Sequence, residues 1–474
     1  MPLGPLAGTH PAAVLARRLG DDASRRAPLL LGAFVSALCG VLSVLRYRRF
    51  ADTSWDLGIF TEAVRNYARL QAPVSDIKGL GFNLLGDHFS PILVTAVPAY
   101  WIYPSAASLL VVQAMLIGIS AVPVCRAAIG ILGTRKGLAV GLAYGISWGI
   151  QQAVDNTFHE VIFAVPLIAL SMESLLRERW KAAALWSLPL VLVKEDLGMT
   201  VAAVGAYLLL RRRFRLGLAL IAYGALSIAL TLLVLIPAMN PNGRYDYWNK
   251  LGDGGAGAEL SSLVTGAEIK LGTLFAVFAI TGLLALRSPL CVVAVPTLFW
   301  RFTSTDTDYW GTVWHYSAVL MPVVFVALLD AVVAARRSRR AWMRSYARNI
   351  VPAVLGISLT YTLAGNLPLK DLLDSPAYET GPRGRSARQA LAEVPDGVTV
   401  ETNTTLMSHL TGRCDVFWVG NTQGLTPDYV ALDLLNGWSR PVTDPLGYVG
   451  GLHPGARYTL VSDTGGYAVL KHLT

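Results

Sequence analysis

The sequence is poor in charged residues. Asp, Glu, Lys and Arg make up 15% of its 474 residues, whereas 53% are hydrophobic. Soluble globular chains carry about a quarter charged residues. The deficit excludes an ordinary soluble domain and predicts a polytopic membrane protein, in which apolar segments cross the bilayer.

Cysteine is scarce as well, and the sequence contains no close pair of cysteines. This spacing gives neither a disulfide framework nor a zinc knuckle. The sequence also lacks an HExxH motif, a phosphate-binding loop, a nucleophile elbow and a basic–aromatic array. It therefore offers no motif of a zinc protease, a P-loop protein or an α/β-hydrolase, and we expect no nucleic-acid partner.

Eleven apolar segments are long enough, or nearly so, to cross a bilayer. They are 29–45, 105–125, 137–153, 161–176, 182–193, 197–210, 216–236, 271–286, 289–300, 316–334 and 350–365. Residues 50–88 are too polar to cross, but their apolar positions predict a helix lying along the membrane interface. Residues 89–103 are short and interrupted by proline, so we expect a re-entrant or interfacial segment.

Basic residues gather in the loops on one side of these segments. They lie in the N-terminal residues 1–28 and in the loops at 126–136, 177–181, 211–215 and 336–348. By the positive-inside rule these loops are cytoplasmic. The pattern predicts a multi-pass protein of a bacterial plasma membrane, with residues 1–28 as a cytoplasmic tail, residues 29–365 in the membrane and an extracytoplasmic C-terminus.

The polar C-terminal region, residues 366–474, has the pattern of a small α/β domain. Short β-branched and aromatic runs predict strands, and two further stretches predict helices. The predicted strands are 398–401, 416–419, 429–432, 458–461 and 467–470, and the predicted helices are 386–393 and 404–410. The predicted fold class is thus an α-helical polytopic membrane protein with a small C-terminal α/β extracytoplasmic domain.

Titratable residues of the membrane region gather on the predicted outer side. They include Asp56, Asp87, His88, Asp155, His159, Glu160, Lys194, Glu195, Asp196, Arg301, Asp306, Asp308 and His315. A topology assigned from Arg and Lys does not require the histidines to lie on one side. Asp56 is set among apolar residues, where an ionised carboxylate is costly to desolvate without a partner or a function. We therefore predict a water-accessible outer cavity with Asp56 at its mouth.

Segment 182–210 is short for two crossings and contains Lys194, Glu195 and Asp196 near its middle. A single long helix would place three charges at mid-membrane and would move the arginines of 211–215 to the outer side, against the positive-inside rule. Two short helices would instead leave the three charges recessed below the outer surface. Because isolated ions are not tolerated in hydrocarbon, this arrangement also indicates a wet cavity.

Structural roles stay open for several of these residues. Asp87 and His88 fit a turn with a side-chain cap. Asp155 and His159 have i, i+4 spacing and could pair on one helical face. The charges of 194–196 could neutralise one another. A hard-cation site, holding magnesium or manganese between Asp56 and another carboxylate, is a further alternative.

Five short motifs together resemble one family of predicted bacterial membrane proteins. The motifs are SWDLGIF at 54–60, GDHFSP at 86–91, FHE at 158–160, KED at 194–196 and WHY at 314–316. The family is known as domain of unknown function 2079, and the resemblance covers nearly the whole chain. The family in turn resembles the GT-C glycosyltransferases, multi-span enzymes with an acidic residue in the first outer loop and polyprenyl-phosphate sugar donors.

This resemblance implies a GT-C-like arrangement in which Asp56 is the acid of the first outer loop. Recurrent polar positions of the family, with unassigned roles, are matched by His88, His159, Lys194, Glu195, Asp196, His315 and Tyr316. The sequence departs from some GT-C members because Asp56 lacks an adjacent second acid.

The first functional hypothesis is an inverting transfer of a sugar from a polyprenyl-phosphate donor to an extracytoplasmic glycan, lipid or protein acceptor. Asp56 would be the catalytic base, and Lys194, Arg301 and His315 would hold the leaving phosphate. The other candidate substrate-binding residues are Asp87, His88, His159, Glu195, Asp196 and Tyr316. The alternatives are a transporter or flippase with the same charges along its path, and a scaffold whose outer domain binds the cell wall.

Overall fold

The computed structural model describes residues 22–52, 55–251, 264–365, 367–439 and 441–473. These residues are mainly helical up to residue 365. The helices of this part are α1 (Asp22–Arg48), α2 (Trp55–Ala68), α3 (Val97–Ile102), α4 (Ala106–Leu132), α5 (Thr134–Gly145), α6 (Trp148–Asp155), α7 (Ala164–Leu176), α8 (Trp180–Ser187), α9 (Leu197–Leu210), α10 (Phe214–Leu230), α11 (Ile236–Met239), α12 (Ala267–Ala279), α13 (Val295–Thr303), α14 (Leu320–Arg336) and α15 (Ala341–Ala364).

Four helical stretches are long and apolar enough to cross a membrane, counted over the described ranges. They are Arg25–Arg48, Ala106–Leu132, Phe214–Met239 and His315–Arg336. Other predicted crossings are divided: the segment 137–153 forms α5 and α6, separated by a turn in which the Ser147 hydroxyl donates to the Tyr144 carbonyl. Apolar content alone does not reveal such turns, so the eleven crossings stay a prediction.

The prediction of two short helices within 182–210 is confirmed. Helix α8 continues as a 3₁₀ turn over Leu188–Leu192, and α9 begins at Leu197, so the charged residues 194–196 lie in the connection. Helices α9 and α10 pack closely because both carry glycine at the contact: a Cβ at Gly205 would lie 2.6 Å from the Gly217 carbonyl oxygen. This packing fixes the start of α9 and the charges that precede it.

Helix α2 carries Asp56 in its first turn and lies where the sequence predicted an interfacial helix. The helix is present, but most of its residues are buried, from Leu57 to Arg65. It packs against α4 on one side and against the C-terminal region on the other. At the second contact a Cβ at Gly58 would lie only 2.9 Å from Met407 Cγ. Protein covers the side chains from Leu57 to Arg65, and the position of this helix relative to the membrane stays a prediction.

The C-terminal region forms a five-stranded mixed sheet with three helices. Its elements are α16 (Pro382–Ala392), β1 (Thr399–Thr402), α17 (Thr404–Leu410), β2 (Asp415–Trp418), β3 (Tyr429–Asp433), α18 (Pro445–Leu452), β4 (Tyr458–Thr464) and β5 (Tyr467–His472). The strand order is β2-β1-β3-β5-β4, with β1 parallel to β2 and β3, and β5 antiparallel to β3 and β4. All five predicted strands and both predicted helices are present, whereas α18 was not predicted.

Both faces of this sheet are covered. Val430, Leu432 and Leu470 pack with Val449 of α18 in a small core on one face. Side chains of the other face, among them Val400, belong to the same hydrophobic cluster as the helical bundle. The C-terminal region is therefore packed on the bundle, which brings β2 and α17 against α2.

Candidate active-site cavity

One cavity of about 590 Å³ brings together most of the sequence-predicted site residues. It lies between α2, the loop before residue 90, the start of α9, the segment 245–247, and α13 with the loop that follows it. Nine of the ten candidate residues line it: Asp56, Asp87, His88, His159, Lys194, Glu195, Asp196, His315 and Tyr316. The predicted shared cavity is present, with Asp56 on its wall.

Asp56 contacts His159 inside this cavity. His159 Nε2 lies 3.3 Å from Asp56 Oδ2, and the Asp56 side chain is 46% exposed. The His159 ring also stacks on His315 with a centroid distance of 3.7 Å. Burial acts to raise the pKa of Asp56, but attraction from His159, Lys194 and Lys78 outweighs it, so the pKa lies below its ordinary value. Asp56 is thus held as an accessible carboxylate.

Two lysines lie on the cavity wall, each paired with a carboxylate. Lys194 Nζ is 2.7 Å from Glu160 Oε1, and Lys78 Nζ is 2.6 Å from Asp87 Oδ2. Residues 194–196 therefore do not simply neutralise one another, because the Lys194 hydrogen bond goes to a segment far away in sequence. Both ammonium groups keep N–H donors that can form hydrogen bonds to an anionic ligand.

A further pair joins His88 to Glu195. His88 Nδ1 lies 2.7 Å from Glu195 Oε1, which also accepts a hydrogen bond from the Tyr245 hydroxyl at 3.0 Å. Tyr247 stacks on the His88 ring and donates to Asp87 at 2.9 Å. Burial and Lys194 act to lower the pKa of His88, but Glu195 and Asp87 outweigh them and raise it. The turn expected at 87–88 exists, and both of its side chains also face the cavity.

The expected pairing of Asp155 with His159 is wrong. Helix α6 ends at Asp155, so the two residues do not share a helical face. Asp155 pairs instead with Arg46 at 2.6 Å, and His159 is left to pair with Asp56. Thr157, with φ +65°, turns the chain between the two residues.

Several polar atoms of the cavity residues have no hydrogen-bond partner among the described protein atoms. They are Nδ1 of His159, Nδ1 of His315, Oδ1 of Asp196, and the indole nitrogens of Trp55 and Trp300. Each such buried group costs about 1–3 kcal/mol if it stays unsatisfied. These atoms are covered by protein, so the accessible polar groups of the cavity are the paired carboxylates, lysines and histidines.

Arg301 does not line the cavity, although it was predicted to bind substrate there. It is fully buried and does not belong to the cavity lining. Its guanidinium donates to the carbonyl oxygens of Tyr309 and Gly311, at 2.7 and 2.6 Å, and to the Ser317 hydroxyl at 3.1 Å. The substrate-binding prediction for Arg301 is therefore wrong, because these hydrogen bonds fix the loop that carries His315 and Tyr316.

Sequence reasoning missed Lys78, Tyr245, Tyr247 and Tyr309, all of which line the cavity. Lys78 lies in a loop that was recognised as external, but no local pattern distinguishes it from the other basic residues there. The alternating spacing of Tyr245 and Tyr247 in an outer connection was a usable signal, since it places two hydroxyls close together.

Metal ligation was the other open question. In the described parts of the chain, no three His, Cys, Asp or Glu side chains are grouped so that they could hold a metal ion. A magnesium or manganese site that includes Asp56 stays a hypothesis.

An apolar groove adjoins the cavity. It has a volume of about 380 Å³ and lies between α9, α10 and α13. Met199, Ile228 and Phe299 line both the groove and the cavity. A ligand with a polar head and a hydrocarbon tail could thus occupy both.

Comparison with known proteins adds the family and the fold. A family described as "Predicted membrane protein (DUF2079)" matches residues 46–468. None of the curated proteins matches the chain. Among solved structures, the chain is similar to ArnT from Cupriavidus metallidurans bound to undecaprenyl phosphate, with a TM-score of 0.55 and 14% identity over 93% of this chain and 97% of that chain.

The apo state of the same ArnT gives a TM-score of 0.51 and 12% identity over the same shares of the two chains. An oligosaccharyltransferase from Archaeoglobus fulgidus, in a complex with zinc and sulfate, gives a TM-score of 0.40 and 12% identity over 91% of this chain and 72% of that chain. ArnT is a GT-C glycosyltransferase, and its similarity over nearly the whole length of both chains shows a GT-C fold.

Proposed function

This chain belongs to the DUF2079 family of predicted membrane proteins and has a GT-C fold, and from that premise we propose that it is a membrane glycosyltransferase. It moves a sugar from a polyprenyl-phosphate donor to an extracytoplasmic acceptor. The observation that carries the proposal is the Asp56–His159 pair, which opens into a cavity with Lys194 and Lys78 on its walls. Fold similarity alone does not assign an activity, so the support must come from these residues.

Asp56 is the general base of the proposed reaction. Its lowered pKa keeps it ionised at neutral pH, and its exposed fraction gives an acceptor hydroxyl access to it. The acceptor oxygen attacks the anomeric carbon, and its proton passes to Asp56 as the new glycosidic bond forms. The bond from the anomeric carbon to the phosphate oxygen breaks at the same time, so a single displacement inverts the anomeric centre.

The leaving polyprenyl phosphate gains negative charge as that bond breaks. Lys194 and Lys78 supply ammonium groups at the cavity wall, and His88 has a raised pKa that favours its cationic form. Cations aimed at the developing charge stabilise the transition state more than the ground state. Glu160, Asp87 and Glu195 hold these cations in place.

The apolar groove between α9, α10 and α13 suits the prenyl chain of the donor. Its lining includes Ala202, Ile221, Ala225 and Val295, and it shares a wall with the cavity. Burial of hydrocarbon there stabilises binding by roughly 25 cal/mol for each Å² removed from water. The ArnT similar to this chain has undecaprenyl phosphate bound in its own structure.

The proposal keeps the predicted topology, with about eleven crossings and residues 1–28 in the cytoplasm. The cavity and residues 366–474 then lie outside the cytoplasm of a bacterial cell. This side is where lipid-linked sugars meet glycan, lipid or protein acceptors of the envelope.

The test is a transfer assay with purified full-length protein in proteoliposomes. The probes are radiolabelled polyprenyl-phosphate monosaccharides, with an envelope extract as the source of acceptor. Asp56→Asn should fold normally but lose about 10²–10⁴-fold in transfer rate, which is the usual contribution of a general base. Asp396→Asn is the matched control, because that side chain is 79% exposed and lies on the C-terminal domain.

Transfer by Asp56→Asn at the wild-type rate would remove Asp56 as the base. Movement of the intact donor across the bilayer, without transfer of its sugar, would instead identify a flippase.

A further inference from the structure

An aromatic surface continues from the cavity onto the C-terminal domain. Trp55, the first residue of α2, lines the cavity beside Asp56. Its ring centroid lies 5.3 Å from that of Trp418, the last residue of β2. Trp418 is 41% exposed. The two indoles, which we call the tryptophan ledge, thus lead outward from the catalytic carboxylate.

The ledge is held by hydrogen bonds on either side of Trp418. Arg65 of α2 donates to the Thr411 carbonyl at 3.1 Å and to Asp415 at 2.8 Å. The Asn421 side chain donates to the Ile77 carbonyl at 3.1 Å. Because Arg65 is almost fully buried, the C-terminal domain and α2 are fixed relative to one another at this contact. Trp418 therefore keeps a defined position relative to Asp56.

The chemistry of the ledge fits a saccharide. Aromatic faces carry negative partial charge, and they attract the polarised C–H groups on one face of a sugar ring. Lys78 Nζ lies over the Trp55 ring, 5.7 Å from its centroid, and adds a hydrogen-bond donor beside that face. Two neighbouring indoles can contact successive sugar units of one chain.

A peptide acceptor would be expected to pair with the open edge of a sheet. The edge strand here is β2, but it offers only four residues, and its first residue already binds Arg65. A short edge strand is a poor template for a further strand. A saccharide needs no such edge, since it binds through ring faces and hydroxyls.

We propose that the tryptophan ledge is the acceptor subsite and that the acceptor is a glycan chain longer than one sugar. The end of this chain reaches Asp56, and the units behind it lie against Trp55 and Trp418. This inference rests on the proposed transferase function and names its acceptor class.

The test measures binding of saccharides to full-length protein in nanodiscs by calorimetry. The probes are hexasaccharides of glucose, mannose, galactose, N-acetylglucosamine and arabinose, together with the five monosaccharides. At least one hexasaccharide should bind, and Trp418→Ala should weaken it about tenfold, which is the effect of losing one well-placed aromatic contact. Trp418→Phe should retain most of the affinity, and monosaccharide binding should not change.

Trp342→Ala is the control, since Trp342 is 60% exposed and lies in α15, away from the cavity lining. Failure of all hexasaccharides to bind would overturn the proposal, and so would equal binding by wild type and Trp418→Ala. Binding of an unstructured peptide that depends on Trp418 would also overturn it. The two readouts separate the proposals: Asp56→Asn tests the transfer rate, whereas the Trp418→Ala effect on hexasaccharide binding is measured without turnover, so either proposal can fail alone.

Discussion

Two groups of charges in this molecule differ in the space that lies beside them. In the first, the Glu173 carboxylate accepts hydrogen bonds from Arg126 at 2.8 Å and from Arg177 at 2.9 Å. In the second, pairs such as His159–Asp56 line an open cavity of about 590 Å³. Paired charge is common to both groups. An open volume lined by charged side chains is what indicates a ligand site.

The largest effect on stability is expected at the first group. Glu173→Ala leaves two guanidinium groups facing one another and should lower the free energy of unfolding by about 3 kcal/mol. This value is at the lower end of the range that is usual for breaking a buried ion pair, because the Arg126 side chain is 40% exposed. Denaturation of the detergent-solubilised protein measures this change in the free energy of unfolding. The transfer rate of the folded fraction should not change, and a selective loss of transfer would erase the distinction between the two groups.

The next effect concerns donor binding at the cavity. Lys194→Met removes the cation paired with Glu160 and should lower kcat/KM for the polyprenyl-phosphate donor about tenfold to a hundredfold, since a charge-assisted hydrogen bond contributes roughly 1.5–3 kcal/mol. Lys181→Met is the matched control, because Lys181 is exposed and lies in α8. An unchanged kcat/KM in Lys194→Met would place the phosphate elsewhere.

A smaller effect is expected in the pH profile. The base must be ionised, so activity falls as the pH drops through the pKa of Asp56. Burial opposes ionisation, and His159 is the first of the residues that lower this pKa. His159→Gln should therefore move the acid limb of the rate profile to higher pH. A profile identical to that of wild type would show that the pair does not control the base.

The smallest effect concerns a carboxyl group of α2 that faces away from the ligand. Burial raises the pKa of Glu62 to about 8, and its Oε2 accepts a hydrogen bond from Ser75 at 2.7 Å. The folded state then binds more protons than the unfolded state, so stability falls as pH rises from the ordinary Glu range through about 8. Glu62→Gln should remove this dependence. The stability of the variant relative to wild type should therefore be higher at pH 9 than at pH 5. Thermal unfolding at both values checks it, and parallel curves would contradict it.

Much of the C-terminal domain could be predicted from the sequence because its signals are local. Short β-branched and aromatic runs bounded by turn residues gave all five strands. The crossings were harder, since apolar runs do not reveal turns such as the one at Ser147 between α5 and α6. The amphipathic pattern of α2 predicted a helix but not its neighbours, since the pattern does not say whether lipid or another domain covers the apolar side.

The cavity could be predicted in outline because the positive-inside rule placed the histidines and acids on one side. The individual pairs could not, since Lys194–Glu160 and His88–Glu195 join residues that are far apart in sequence. Arg301 resembled a phosphate ligand by its type and position. Only the backbone path of its loop shows that carbonyl oxygens already satisfy it.

The most direct test is a structure of the full-length protein with a polyprenyl phosphate bound. The phosphate should lie in the outer cavity, within about 3 Å of the ammonium group of Lys194 or Lys78, with the prenyl chain in the apolar groove beside it. Asp56 should face the phosphate across the space that a sugar would fill. A phosphate bound outside this cavity would contradict the proposed site.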